Sequence, residues 1–111
     1  MKRIDVEELK GMRRRDDDLT VVNVLSADRY RKAHIPGSAN VPADEEDVIP
    51  RVERIAGGKD QPVVVYCTNR ECDASPNAGR RLEAADFQHV YHFAGGIQAS
   101  RDAGESLASS G

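Results

Sequence analysis

The segment Val63-Val64-Val65-Tyr66-Cys67-Thr68-Asn69-Arg70-Glu71-Cys72-Asp73-Ala74-Ser75 decides how this chain is read. A β-branched apolar run stops abruptly at a cysteine. Polar and small residues follow, and then a helix-like pattern begins. That order reads as a buried strand, a loop and a helix. It puts a thiol at the carboxyl end of a strand, in a loop that faces a helix N-terminus. Backbone N–H groups converge at such a place and the helix dipole favours an anion. A thiolate is an anion of this kind, and cysteines in such settings ionise below the usual ~8.5. Cys67 is therefore the candidate nucleophile.

Working outward, strand and helix patterns alternate. Asp5 and Glu8 have the spacing of a capping box, and Val6, Leu9 and Met12 fall at helical intervals, so a helix is expected over 6–14. Thr20 to Leu25 reads as a buried strand. Ser26 caps a short helix reaching Lys32. His34-Ile35-Pro36-Gly37 is a turn, in which Pro fixes φ and Gly supplies the permissive position. Ala39-Asn40-Val41 is a short strand ended by Pro42. Val48, Val52 and Ile55 predict a helix over 44–56, kinked or split at Pro50 and stopped by Gly57-Gly58. After Val63 to Tyr66 and the cysteine loop, a helix is expected over 74–85, with Ala78, Leu82 and Ala85 on one face. Asp73 and Ser75 are expected to cap it, with Ser75-Pro76 as cap and first helical residue. Val90 to Phe93 is a strand, and Gly95-Gly96 turns into a last helix over 97–102. Ser106 to Gly111 is small and polar and reads as a flexible tail. Residues 1–105 are expected to form one domain. The alternation predicts an α/β fold whose parallel sheet is covered on both faces, with its functional site beyond the carboxyl ends of the strands.

Composition narrows the function classes. The chain has 111 residues, 39% hydrophobic and 32% charged, with net charge −3. That is enough to bury a core, and the negative charge argues against non-specific nucleic-acid binding. Arg13-Arg14-Arg15 is offset by Asp16-Asp17-Asp18, and the block reads as a solvated turn after a helix. No stretch approaches the ~20 apolar residues of a membrane span. No apolar signal region opens the chain, so the expected location is cytoplasmic and reducing, where two cysteines are expected as free thiols. Neither a metal nor another cofactor is expected: Cys67 and Cys72 without a nearby histidine pair do not supply a tetrahedral set.

Three landmarks in order resemble the single-domain rhodanese family of sulfurtransferases. They are Val21-Val22-Asn23-Val24 with Tyr30 and His34-Ile35-Pro36-Gly37-Ser38-Ala39-Asn40-Val41-Pro42, then Val64-Val65-Tyr66-Cys67, then Val90-Tyr91-His92-Phe93-Ala94-Gly95-Gly96-Ile97. The resemblance implies a rhodanese-like α/β fold, a central parallel sheet of about five strands flanked by helices on both faces. It also implies transfer of a sulfane sulfur through a persulfide on Cys67. Asn23 and Leu25 stand where the family commonly has Asp and Arg, a pair that braces the site. Ser100 replaces an aromatic residue. The loop is also unusual, with Thr68 directly after the cysteine, no glycine, and a following helix that starts later.

Sulfur transfer needs a soft nucleophile that attacks a sulfane sulfur and then holds it as Cys–S–S⁻, which suits a thiolate. The expected donor is thiosulfate or a persulfide, and the acceptor a small thiophile, a thiol or a partner protein. Thr68, Asn69, Arg70, Glu71, Cys72 and Asp73 form the expected substrate-binding loop. Arg70 is its only cation, read either as a recruiter of an anionic donor or as a solvated charge. Cys72 has two readings: a resolving thiol that closes a disulfide with Cys67, or a packed cysteine in the first helical turn. His34 belongs to the turn, and His89 and His92 read as surface or satisfied polar residues flanking a strand. Two other functions compete. A phosphatase or arsenate reductase on this fold requires an arginine clamp where the chain has Asp73. A non-enzymatic sulfur-relay or binding module retains the cysteine but discharges only onto a partner.

Overall fold

A computed structural model describes residues 1–16 and 18–109. Asp17 of the charged block and residues 110 and 111 of the expected tail lie outside the described residues. The elements are β1 (Lys2–Ile4), α1 (Val6–Arg15), β2 (Thr20–Asn23), α2 (Ala27–Lys32), β3 (Ala39–Asn40), α3 (Val48–Ala56), β4 (Val63–Tyr66), α4 (Ala74–Ala84), β5 (Val90–Phe93) and α5 (Gly96–Asp102). The five strands form one parallel sheet in the order β1-β5-β4-β2-β3. Every residue of β2 and β4 is buried. Successive strand side chains point to opposite faces, so both faces of the sheet centre are covered, and the strands need no apolar–polar alternation. This is the expected α/β fold.

The order also fixes where the site can lie. β4 is central, between β2 and β5. From β2 the chain moves outward to β3, then crosses back to β4 on the other side. The carboxyl ends of β2 and β4 therefore flank a topological switch point, the place where such sheets leave a crevice. Cys67 directly follows β4.

Several local expectations hold and others shift. Asp5 accepts from the Glu8 N–H at 2.8 Å and Glu8 accepts from the Asp5 N–H at 3.2 Å, the reciprocal capping box. Ser26 caps α2. α3 starts only at Val48, and Pro50 sits in its first turn. The N–H that proline lacks has no intrahelical partner there, so Pro50 breaks no bond and leaves the helix unkinked. Ile55 is 45% exposed, outside the core that Val48 and Val52 enter. β3 ends one residue earlier than expected, and β2 two. β1 has no counterpart in the sequence reading, because three edge residues with one buried side chain carry no periodic signal. Within the segment read as a tail, the Ala108 N–H donates to the His34 carbonyl at 2.8 Å and the His34 N–H to the Ala108 carbonyl at 3.0 Å.

Candidate functional site

The floor of the site is a buried polar knot around the Tyr66 hydroxyl. Tyr66, the last residue of β4, is fully buried. Its oxygen accepts from Asn23 Nδ2 at 3.0 Å and from the Ile35 N–H at 3.0 Å, and the Ser38 hydroxyl lies 2.8 Å away. Ser38 Oγ is also 2.7 Å from the Ile35 carbonyl oxygen, to which it donates. That leaves the phenol proton for Ser38 Oγ, so both lone pairs and the proton of the phenol are used. Burial pushes the Tyr66 phenol above its ordinary value, opposed by the hydrogen bonds it accepts from Asn23 and Ile35. The His34–Asn40 turn is thereby pinned to the end of the strand that delivers Cys67. Asn23 also accepts from the Leu25 N–H at 2.9 Å. An amide at position 23 can donate to the phenol and accept from the backbone, whereas an ionised Asp could only accept. Leu25, where the family commonly has Arg, is buried apolar surface. The brace at this edge is thus an uncharged network. His34 belongs to the same turn: Nδ1 lies 2.7 Å from the Tyr30 carbonyl oxygen, which can only accept, and its ring stacks on Tyr30 at 3.9 Å.

Above this floor lies the loop. Cys67 is 1% exposed and Cys72 half-buried. The two are joined by a disulfide, with Cα atoms 6.5 Å apart. Both cysteines were expected as free thiols, but the loop folds back far enough to bond them. Asn69 shapes that return: its Oδ1 accepts from the Glu71 N–H at 3.0 Å and its carbonyl from the Cys72 N–H at 3.3 Å. These two N–H groups therefore point into the loop, so they are not free for the anion cradle expected from the sequence. The base of the loop is held from the other side. The Ile97 N–H donates to the Cys67 carbonyl at 3.1 Å and the Gln98 N–H to the Thr68 carbonyl at 2.9 Å. Gly96 permits this approach: it has φ +57°, and a side chain there would run into the Cys67 carbonyl.

The helix after the loop also differs from expectation. Asp73 is the N-cap of α4 but makes no side-chain cap bond. Ser75 is not a cap. It is buried inside the first turn, its Oγ 3.5 Å from Cys67 Sγ and 2.9 Å from His92 Nε2. A disulfide sulfur carries no proton, so in the Ser75–Cys67 contact only the hydroxyl can donate. If Nε2 carries a proton, the imidazole donates to Oγ and the hydroxyl is free to face the sulfur. His92 lies within β5, not beside it, and joins the site through Ser75. No spacing along the chain signals this, because positions 67, 75 and 92 come from a strand end, a helix and a neighbouring strand. Burial, with Arg3 and Arg80 nearby, lowers the His92 imidazole below its ordinary value.

Beside Cys72 opens a pocket of about 370 Å³ lined by Arg3, Arg70, Cys72, Asp73, Arg80 and His92. Arg70 was legible as the loop's cation. Arg3 and Arg80 were not: β1 pairs Arg3 with His92 in register, and α4 supplies Arg80. Three guanidiniums against one carboxylate make the pocket suited to an anion. Another cleft, of about 390 Å³, opens by Leu19 and Pro62 at the amino ends of β2 and β4, away from the cysteines.

The chain is thus a parallel α/β domain with a cysteine loop at its switch point. The family model for the rhodanese-like domain matches residues 5–103, and the chain belongs to that family. No curated protein matches the sequence. Among solved structures, the Alr3790 protein from Anabaena sp. superposes with TM-score 0.82 at 25% identity, over 96% of this chain and 80% of that one. Thiosulfate sulfurtransferase from Pseudomonas aeruginosa superposes with TM-score 0.84 at 20% identity over 99% of this chain, which spans only 20% of that protein. The polysulfide-sulfur transferase homodimer from Wolinella succinogenes gives TM-score 0.75 at 18% identity, over 96% of this chain and 77% of that one. Among the described residues, no helix is long and apolar enough to cross a membrane.

Proposed function

We propose that the protein is a sulfurtransferase in which reduced Cys67 takes a sulfane sulfur from thiosulfate or a small persulfide and passes it to a thiophilic acceptor. The observation that carries this reading is the position of Cys67: buried at the end of the central strand, next to the Ser75 hydroxyl and one loop away from a cationic pocket. The thiolate attacks the outer sulfur of thiosulfate, sulfite leaves, and Cys67–S–S⁻ remains. A hydroxyl donor beside the sulfur stabilises the anionic forms at both ends of the step. Arg3, Arg70 and Arg80 would draw in the dianionic donor, an attraction that salt screens. Family membership supports the sulfurtransferase class, and the names of the Pseudomonas and Wolinella structures agree with it. The phosphatase reading has no support, because the far end of the loop holds Asp73, whose charge repels an oxyanion.

The test is made on reduced Cys72→Ser, which leaves Cys67 as the single thiol. Thiosulfate should add about 32 Da and release one sulfite per chain. Cyanide should then remove the added mass as thiocyanate. A persulfide that ignores cyanide but discharges onto a protein thiol would favour the relay module. Unchanged mass in Cys72→Ser, with sulfite absent, would end the sulfurtransferase reading.

A further inference from the structure

We infer that the protein has a second activity that rests on the sulfurtransferase reading: it reduces the sulfane sulfur to sulfide, using Cys72 as an internal reductant and an external dithiol to reset it. The bond between Cys67 and Cys72 is the observation that carries this. Cα atoms 6.5 Å apart lie within the range that disulfides span, and a sequence separation of 5 lets one loop close the bond. The same closure puts Cys72 Sγ in reach of Cys67 Sγ when Cys67 carries a persulfide.

The step balances without an oxidant. Cys72–SH attacks Cys67 Sγ, the inner sulfur of Cys67–S–S⁻. The Sγ–S bond breaks, the Sγ–Sγ bond forms, and the outer sulfur leaves as HS⁻ with the Cys72 proton. The sulfane sulfur gains two electrons and the two cysteines lose them. Cyanide transfer needs no such step, since cyanide attacks the outer sulfur and leaves Cys67 as a thiolate.

Resetting follows from exposure. Cys67 is buried, whereas Cys72 is half-buried and lines the open pocket. An incoming thiolate therefore meets Cys72 Sγ and expels the Cys67 thiolate toward the Ser75 hydroxyl. A mixed disulfide remains on Cys72, and the second thiol of a dithiol resolves it internally, where a monothiol needs a second encounter. The overall reaction is thiosulfate plus a dithiol giving sulfite, HS⁻, the cyclic disulfide of the reductant and one proton. Its substrate class is a sulfane donor paired with a vicinal or protein dithiol.

The experiment is a single turnover. Wild type, Cys72→Ser, Cys72→Ala and Cys67→Ser are reduced, freed of reductant and mixed with excess thiosulfate in the absence of oxygen. Sulfite, sulfide and intact mass are then measured. Wild type should release one sulfite and one sulfide per chain and finish about 2 Da below the reduced mass, as a disulfide. Both Cys72 variants should release sulfite alone and stay about 32 Da heavier, and Cys67→Ser should do neither. A wild type that keeps the extra 32 Da without sulfide, as the Cys72 variants do, would overturn this inference and leave the sulfurtransferase reading intact. Absence of sulfite and of added mass in every protein would overturn both.

Discussion

Removing one oxygen atom, in Tyr66→Phe, tests whether the polar knot holds the turn beneath the cysteine loop. The phenylalanine ring fills the same volume, so packing changes little. What disappears is the acceptor for Asn23 Nδ2 and the Ile35 N–H, and the partner of Ser38 Oγ. Ser38 retains its bond to the Ile35 carbonyl. Two buried donors are left without a partner, each costing about 1–3 kcal/mol. Some relaxation brings the expected loss to about 2–4 kcal/mol. At roughly 4 °C per kcal/mol for a chain of this size, Tm should fall by about 8–16 °C. Urea and thermal unfolding followed by circular dichroism, with the reduced proteins compared, measure the two quantities. The alkaline limb provides a second readout. Tyr66 is shifted above the tyrosine value in the folded state, so above pH ~10 the unfolded chain loses this proton first and binds fewer protons than the native one. The stabilisation is complete below that pH and is lost as pH rises. Wild type should lose stability more steeply than Tyr66→Phe there. A loss under about 0.5 kcal/mol at neutral pH, with parallel alkaline limbs, would refute the reasoning, because an ordinary surface substitution costs as much.

Gly96→Ala should cost about 1–3 kcal/mol from its φ of +57° and more from the clash with the Cys67 carbonyl, whereas Gly57→Ala, at φ +87° with open space around it, should cost only about 1 kcal/mol; equal losses in chemical denaturation would sink the close-approach argument. Ser75→Ala, made in reduced Cys72→Ser, should slow alkylation of Cys67 by iodoacetamide roughly tenfold, the worth of one hydrogen bond to a charged group, and equal rates would mean that the hydroxyl does not serve the sulfur. For His92, the folded imidazole is lowered by burial and by Arg3 and Arg80, so as pH falls below ~6.5 the unfolded chain takes up the proton first and stability declines. His92→Gln should flatten that acid limb; superimposable stability–pH curves would show that His92 contributes nothing to it.

The sheet was legible because its central strands announce themselves. Val63 to Tyr66 and Val90 to Phe93 fall where the apolar runs put them, and β2 is only shortened. The start of α1 comes from its capping box, whereas Arg13-Arg14-Arg15, read as a turn after the helix, form its last turn. β1 was invisible because an edge strand of three residues has no period to detect. α3 was overextended because Asp44 to Asp47 is compatible with a helix, and only the tertiary setting decides that the chain turns first. At the site, the cysteine loop was readable as one contiguous stretch. Ser75, His92, Arg3 and Arg80 meet there only through strand pairing and the docking of α4, so no spacing along the chain records them. The Cys67–Cys72 bond lay between the two: the interval permitted it, and the way Asn69 turns the loop brought the sulfurs together.

The two amides of α5 that clasp the base of the loop give the protein a built-in gauge. Ile97 and Gln98 donate their backbone N–H groups to the carbonyls of Cys67 and Thr68 and not to their own helix. Their solvent exchange therefore reports whether the loop is seated, with no label on sulfur and no substrate present. If opening the disulfide loosens the loop, deuterium should enter at these two amides faster in the reduced protein, while Val64 and Val65 in the strand beneath exchange at an unaltered rate. A redox titration followed at those positions would then give the midpoint of the cysteine couple from the backbone alone, inside a mixture where thiol reagents cannot be used.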